Sequence, residues 1–105
     1  MPVRVMLADD HALVRGGLRA LLEAEEDIEV VGEAETAAGA VELAGELQPD
    51  LVVLDVNLPD GSGVAACREI RDQWSDIQVV MLTAFADEQA FVDAVTAGAL
   101  GFVLK

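Results

Sequence analysis

Five positions stand where short apolar runs give way to chemistry. Asp9-Asp10 follows Val3–Ala8, Asp55 follows Leu51-Val52-Val53-Leu54, Thr83 follows Val79-Val80-Met81-Leu82, and Lys105 follows Phe102-Val103-Leu104. If these runs are strands of one parallel sheet, their ends share one edge. Three carboxylates, a hydroxyl and an ammonium then meet in the crevice where open α/β sheets hold their ligands. Three crowded carboxylates repel one another, and some are driven toward protonation unless a cation balances them. Mg2+ suits that role, because it binds through a few carboxylates and keeps sites for water and phosphate oxygens. With Lys105 on the other side, the pocket is shaped for a phosphoryl group, whose oxygens need positive charge and donors. Asp55 is then the nucleophile that forms an aspartyl phosphate, and Thr83 and Lys105 hold its oxygens.

The elements that must position these groups follow from periodicity. Val3–Ala8, Ile28–Ala34, Leu51–Asp55, Gln78–Thr83 and Leu100–Leu104 read as strands. The run before Asp55 has no polar alternation, as expected of a strand buried on both faces. Leu13, Val14, Gly17, Leu18, Leu21 and Leu22 recur at helical spacing after Asp10 or His11, and one of Gly16 and Gly17 is expected to pack closely on the sheet. A second helix starts at a Thr36 cap, carries Ala40, Val41, Leu43, Ala44 and Leu47, and stops at Pro49. A third follows Ser62 with Val64, Cys67, Ile70 and Trp74, and a fourth spans Asp87 to Thr96, with Gly98 as its C-terminal stop. Cys67 reads as a core residue, Trp74 as packing at a helix end, and His11 as a surface residue at a helix start. Strand and helix alternate four times before the last strand. That predicts an α/β fold: a doubly wound five-stranded parallel sheet with helices on both faces, a single domain over 1–105, and the fifth helix missing.

Composition narrows the function. The chain has 20 acidic and six basic residues, a net charge of −14, and no basic stripe. Nucleic-acid binding begins with Lys and Arg against phosphates, so no nucleic acid is expected to bind this fragment itself. A lone cysteine rules out an internal disulfide and a multi-cysteine zinc site. Neither a signal peptide nor a membrane-length apolar run is visible, so the expectation is a cytoplasmic domain with no membrane contact.

These residues resemble the receiver domain of bacterial two-component response regulators, over the whole chain. The resemblance rests on Asp9-Asp10, on Asp55 with Pro59 and Gly61, on Thr83-Ala84, and on Ala97-Gly98-Ala99 with Gly101, Phe102 and Lys105. Asp9-Asp10-His11 with Val14-Arg15-Gly16-Gly17-Leu18, Val31-Gly32-Glu33-Ala34 and Val103-Leu104-Lys105 resemble its NarL/FixJ subgroup, whose members usually carry a LuxR-type DNA-binding output domain. The resemblance implies a flavodoxin-like strand order 2-1-3-4-5. It implies Mg2+ on Asp10, Asp55 and the backbone carbonyl of Asn57, with Asp9 acting through a water. It also implies phosphorylation of Asp55 by a sensor histidine kinase, a switch pair of Thr83 and Phe102, and tuning of the phosphoryl lifetime by Asn57 and Phe85. It would not make the chain an enzyme beyond its own phosphorylation and dephosphorylation.

Three rival functions are weighed at this level, and one of them, a flavodoxin-like cofactor carrier, is disfavoured because no loop is rich enough in Ser, Thr and Gly to cradle an FMN phosphate. A phosphatase of the haloacid dehalogenase type wants a second Asp two residues after the nucleophile, and Asn57 stands there. A pseudo-receiver would act as an interaction module without phosphorylation, which the intact set of strand-end groups disfavours. The missing fifth helix would uncover the last strand, so a homodimer or a less stable fold is also expected.

Overall fold

The apolar runs lack alternation because helices cover the sheet on both sides. In the computed structural model, which describes residues 2–83, 98 and 101–104 (Thr83 and 101–104 by their backbone), β1 (Val3–Ala8) turns its residues alternately to two cores. Val5 and Leu7 join Val30 of β2 (Ile28–Ala34), and Leu18 and Leu22 of helix α1 (Ala12–Glu23) pack on them. Met6 and Ala8 face the other way. They meet Val52 and Leu54 of β3 (Leu51–Asp55), Ala40 and Ala44 of α2 (Ala37–Leu47), and Ala66, Cys67 and Ile70 of α3 (Gly63–Gln73).

Five strands pair in parallel in the order β2-β1-β3-β6-β7, where β6 is Gln78–Thr83 and β7 is Gly101–Leu104. Between β3 and α3, Asn57–Leu58 (β4) and Gly61–Ser62 (β5) form a small antiparallel hairpin. With that hairpin set aside, the order is the expected 2-1-3-4-5. The order reverses between β1 and β3, and that reversal opens a crevice at the carboxyl ends of both strands.

Local chemistry explains the helix limits. The Thr36 hydroxyl accepts from the Gly39 N–H and caps α2, and Gln48 ends it in the left-handed conformation just before Pro49. The Ser62 hydroxyl accepts from Val64 and Ala65 N–H groups and caps α3. Trp74 closes α3 and lies on Gly45 of α2, as a packing residue should.

Helix α1 departs from the expectation. Leu13 is 91% exposed and Leu21 71%, and a Cβ at Gly16 or Gly17 would meet nothing within 4 Å. Neither glycine packs on the sheet. A run of adjacent apolar residues fits two neighbouring helical stripes, and the helix turns only the Leu18–Leu22 stripe inward. The fourth helix expected over Asp87 to Thr96 lies outside the described residues.

Candidate phosphoacceptor site

Register brings the acids together. Ala8 pairs with Leu54, so the residues that follow, Asp9 and Asp55, end neighbouring strands at the crevice. Both are buried, Asp9 1% exposed and Asp55 2%. Asp10 is exposed at the mouth, and one ligand atom from each of Asp9, Asp10, His11 and Asp55 lies within 4.8 Å of the others.

The Asp55 segment is fixed by its backbone. The Val56 N–H donates to the Leu82 carbonyl at 2.9 Å, which ties the strand end to β6. The Asn57 N–H donates to Asp55 Oδ1 at 3.1 Å and sets the carboxylate's direction. The Gly63 N–H donates to the Val56 carbonyl at 2.7 Å, so α3 begins hard against this turn. A Cβ at Gly63 would fall on the Asp55 carbonyl oxygen and lie 3.0 Å from Val56 Cα. Only glycine allows that approach.

The loop beyond is clamped as well. Asp60 reaches from the hairpin to the start of α2, where its carboxylate accepts from Ala37 N–H at 2.7 Å and Ala38 N–H at 3.1 Å. Those two bonds hold its carboxyl below the usual range. The loop after Asp55 is therefore pinned to two helices.

The Asp9 side of the pocket has its own frame. The His11 N–H donates to Asp9 Oδ1 at 2.8 Å, and His11 Nδ1 lies 3.0 Å from the same oxygen and 3.2 Å from Asp10 Oδ1. Arg15, 12% exposed, donates from Nη1 to the Asp9 carbonyl at 2.6 Å. Its other nitrogens face Glu33 at 3.3 Å and Glu35 at 3.2 Å. Arg15 so links the acidic loop to strand β2.

Asp9, Asp10 and Asp55 thus meet as the strand ends predicted. Asn57 is exposed, and its backbone N–H belongs to the pocket edge. The Thr83 backbone follows Leu82, the partner of Asp55, and so stands at the same sheet edge. The Thr83 hydroxyl, Phe85, the Phe102 ring and Lys105 lie outside the described residues. His11 reads from sequence as a surface residue; it is exposed, yet its ring nitrogen is part of the acidic cluster. Gly63, Asp60 and the role of Arg15 had no signal in the sequence, since each acts across a distant contact. The donor set suits a hard divalent cation: buried and exposed carboxylates converge within a few ångströms and present oxygen ligands.

The site's geometry and strand order define a class, and comparison with known proteins agrees. The response regulator receiver domain family matches residues 5–105. The DNA-binding transcriptional activator DevR/DosR of Mycobacterium tuberculosis is 44% identical over 98% of this chain and 48% of its own length. A LuxR-family two-component response regulator from Aurantimonas sp. superposes with a TM-score of 0.95 at 38% identity, over all of this chain and 75% of that one. A response regulator from Burkholderia pseudomallei, solved with a phosphorylated aspartic acid, a calcium ion and citrate, gives 0.88 at 26% identity, over 97% of this chain and 59% of that one. The chain belongs to the response regulator receiver domain family. Within it, the relatives are regulators of the NarL/LuxR type. The chain spans about half the length of the curated relatives it matches. Among the described residues, no helix is long and apolar enough to cross a membrane.

Proposed function

We propose that Asp55 accepts a phosphoryl group from a phosphohistidine on a sensor histidine kinase, and that the modification switches a transcriptional output domain. The observation that carries this reading is the buried Asp55 beside buried Asp9 at the reversal of strand order, with Asp10 in reach. An Asp55 oxygen attacks phosphorus, the P–N bond breaks, and the departing imidazole nitrogen keeps the bonding pair and takes a proton from solvent. The Asn57 N–H donates to Asp55 Oδ1 and so sets the direction of the attacking carboxylate. Asp10, Asp55 and the Asn57 carbonyl would hold Mg2+, with Asp9 acting through a water. Bound there, Mg2+ would supply positive charge to the phosphoryl oxygens. The regulator with a phosphorylated aspartate and calcium supports the assignment by likeness.

Thr83 and Lys105 receive the phosphoryl oxygens in this reading, and Thr83 with Phe102 carries the change to the surface of β7. These roles rest on the family resemblance and on the place of Thr83 at the sheet edge. The chain turns over no substrate other than its own acyl phosphate, which it hydrolyses. The receiver unit is residues 1–105, the full-length protein continues into a LuxR-type DNA-binding domain, and it works in the cytoplasm, with a homodimer as one assembly open to it. The relatives' double length and the printed DNA-binding role of DevR/DosR support that layout. The test is phosphorylation by acetyl phosphate with Mg2+ and with EDTA. An adduct that forms only with Mg2+ is expected; equal labelling under both conditions would overturn the cation's part.

A further inference from the structure

We propose that His11 is a nitrogen ligand of the acidic pocket and biases it toward transition-metal cations over Mg2+. The inference rests on the reading that the pocket holds a divalent cation. His11 is the N-cap residue of α1, yet its side chain makes no capping bond. Its imidazole turns back over the acids instead. Nδ1 lies 3.0 Å from Asp9 Oδ1 and 3.2 Å from Asp10 Oδ1, and all four candidate ligand atoms fall within 4.8 Å of one another.

The two ring contacts match the spacing of neighbouring ligands on a shared metal, and the 4.8 Å limit of the cluster stands a little above that of opposite ones. For bonds of ~2.1 Å, neighbouring ligands of an octahedral cation stand roughly 3.0 Å apart and opposite ones about 4.2 Å. An imidazole ligates a metal through one ring nitrogen and carries its proton on the other. Here Nδ1 faces the carboxylates, and the ring, 61% exposed, leaves Nε2 open to water. An all-oxygen pocket favours hard cations. One imidazole added to carboxylates favours Co2+, Ni2+ or Zn2+. Mg2+ keeps waters readily, so it loses little when a water takes the place of the ring.

The probes are Co2+ and Mg2+, each titrated by calorimetry into the wild type and His11→Ala, with circular dichroism to check that the variant is folded. Wild-type Co2+ binding is expected to weaken by roughly 10–100-fold in the variant, at least the cost of losing a residue that merely supports a ligand. Its visible absorption should shift at the same time, and Mg2+ affinity should change by less than about threefold. Unchanged Co2+ affinity and spectrum would overturn the proposal. A parallel fall for both cations would also overturn it, because His11 would then only orient the carboxylates. If neither cation binds the wild type, the cation reading of the pocket fails and takes this inference with it. His11→Gln, which keeps a hydrogen-bonding group without an imidazole, should behave as His11→Ala does.

Discussion

Two glycines predict opposite answers to the same substitution. Gly63 begins α3, and an added Cβ would fall on the Asp55 carbonyl oxygen and crowd Val56 Cα. Both neighbours are backbone. They cannot swing aside, because the Val56 N–H is bonded to Leu82 and its carbonyl to the Gly63 N–H. Helix propensity alone argues for alanine, by at most about 1 kcal/mol and less than that at a first-turn position. Forced overpacking costs about 1–3 kcal/mol, occasionally more, and a backbone neighbour belongs at the upper end. A net loss of about 2 kcal/mol lowers the melting temperature of a domain near this size by roughly 8–16 °C. Gly17 is the control. Nothing stands within 4 Å of its Cβ position, and it sits inside α1. Gly17→Ala should gain about 1 kcal/mol and melt roughly 4–8 °C higher. Thermal unfolding followed by circular dichroism reads both. Gly63→Ala should also be phosphorylated more slowly, since it shifts the peptide that carries Asp55. If Gly63→Ala melts at or above the wild type, the close approach of α3 to Asp55 is wrong.

Other expectations follow from single contacts. Arg15→Ala removes the bond to the Asp9 carbonyl and the tie to Glu33 and Glu35, so Mg2+ affinity should fall by roughly 10-fold, with Arg15→Lys between; equal affinities in all three proteins would remove Arg15 from the pocket's frame. Asp60→Ala loses two bonds to the start of α2 and should melt a few degrees lower at pH 7. Because the folded Asp60 carboxyl titrates below its ordinary value of 3.8, its contribution is present above that value and lost as pH falls through the lower folded one, so the difference between the two proteins should shrink in strong acid; a gap that is the same at pH 7 and pH 2 would contradict this. Cys67 is buried and its thiol is pushed up to about 11 by burial, so a thiol reagent at pH 8 should label it only after denaturant is added.

The sheet was legible because its strands are buried on both faces. Val52, Val53 and Leu54 run without alternation, and a run of that kind has few other uses in a chain with helical stretches between its strands. The pocket was legible for the same reason, since parallel strands deliver their last residues to one edge, and Asp9 and Asp55 do end there. What escaped depends on contacts across the chain. Gly63 looks like any glycine after a turn until α3 is seen against Asp55. Asp60 looks like an ordinary turn residue, but its partners are 22 and 23 residues away. Arg15 sits on a helix whose period does not reveal that its head reaches back to the Asp9 carbonyl. The outward Leu13 and Leu21 show the limit of periodicity, for both stripes of α1 carry two leucines and packing turned only one of them inward.

The proposed switch depends on Asp55 as the phosphoryl acceptor. Its most direct measurement is the intact mass of the wild type and of Asp55→Asn after incubation with acetyl phosphate and Mg2+, followed by brief acid and brief base. The wild type should gain one phosphoryl mass that survives acid and disappears in base, as an acyl phosphate does, and the variant should gain none. An equal gain on both proteins, or none on the wild type, would contradict it.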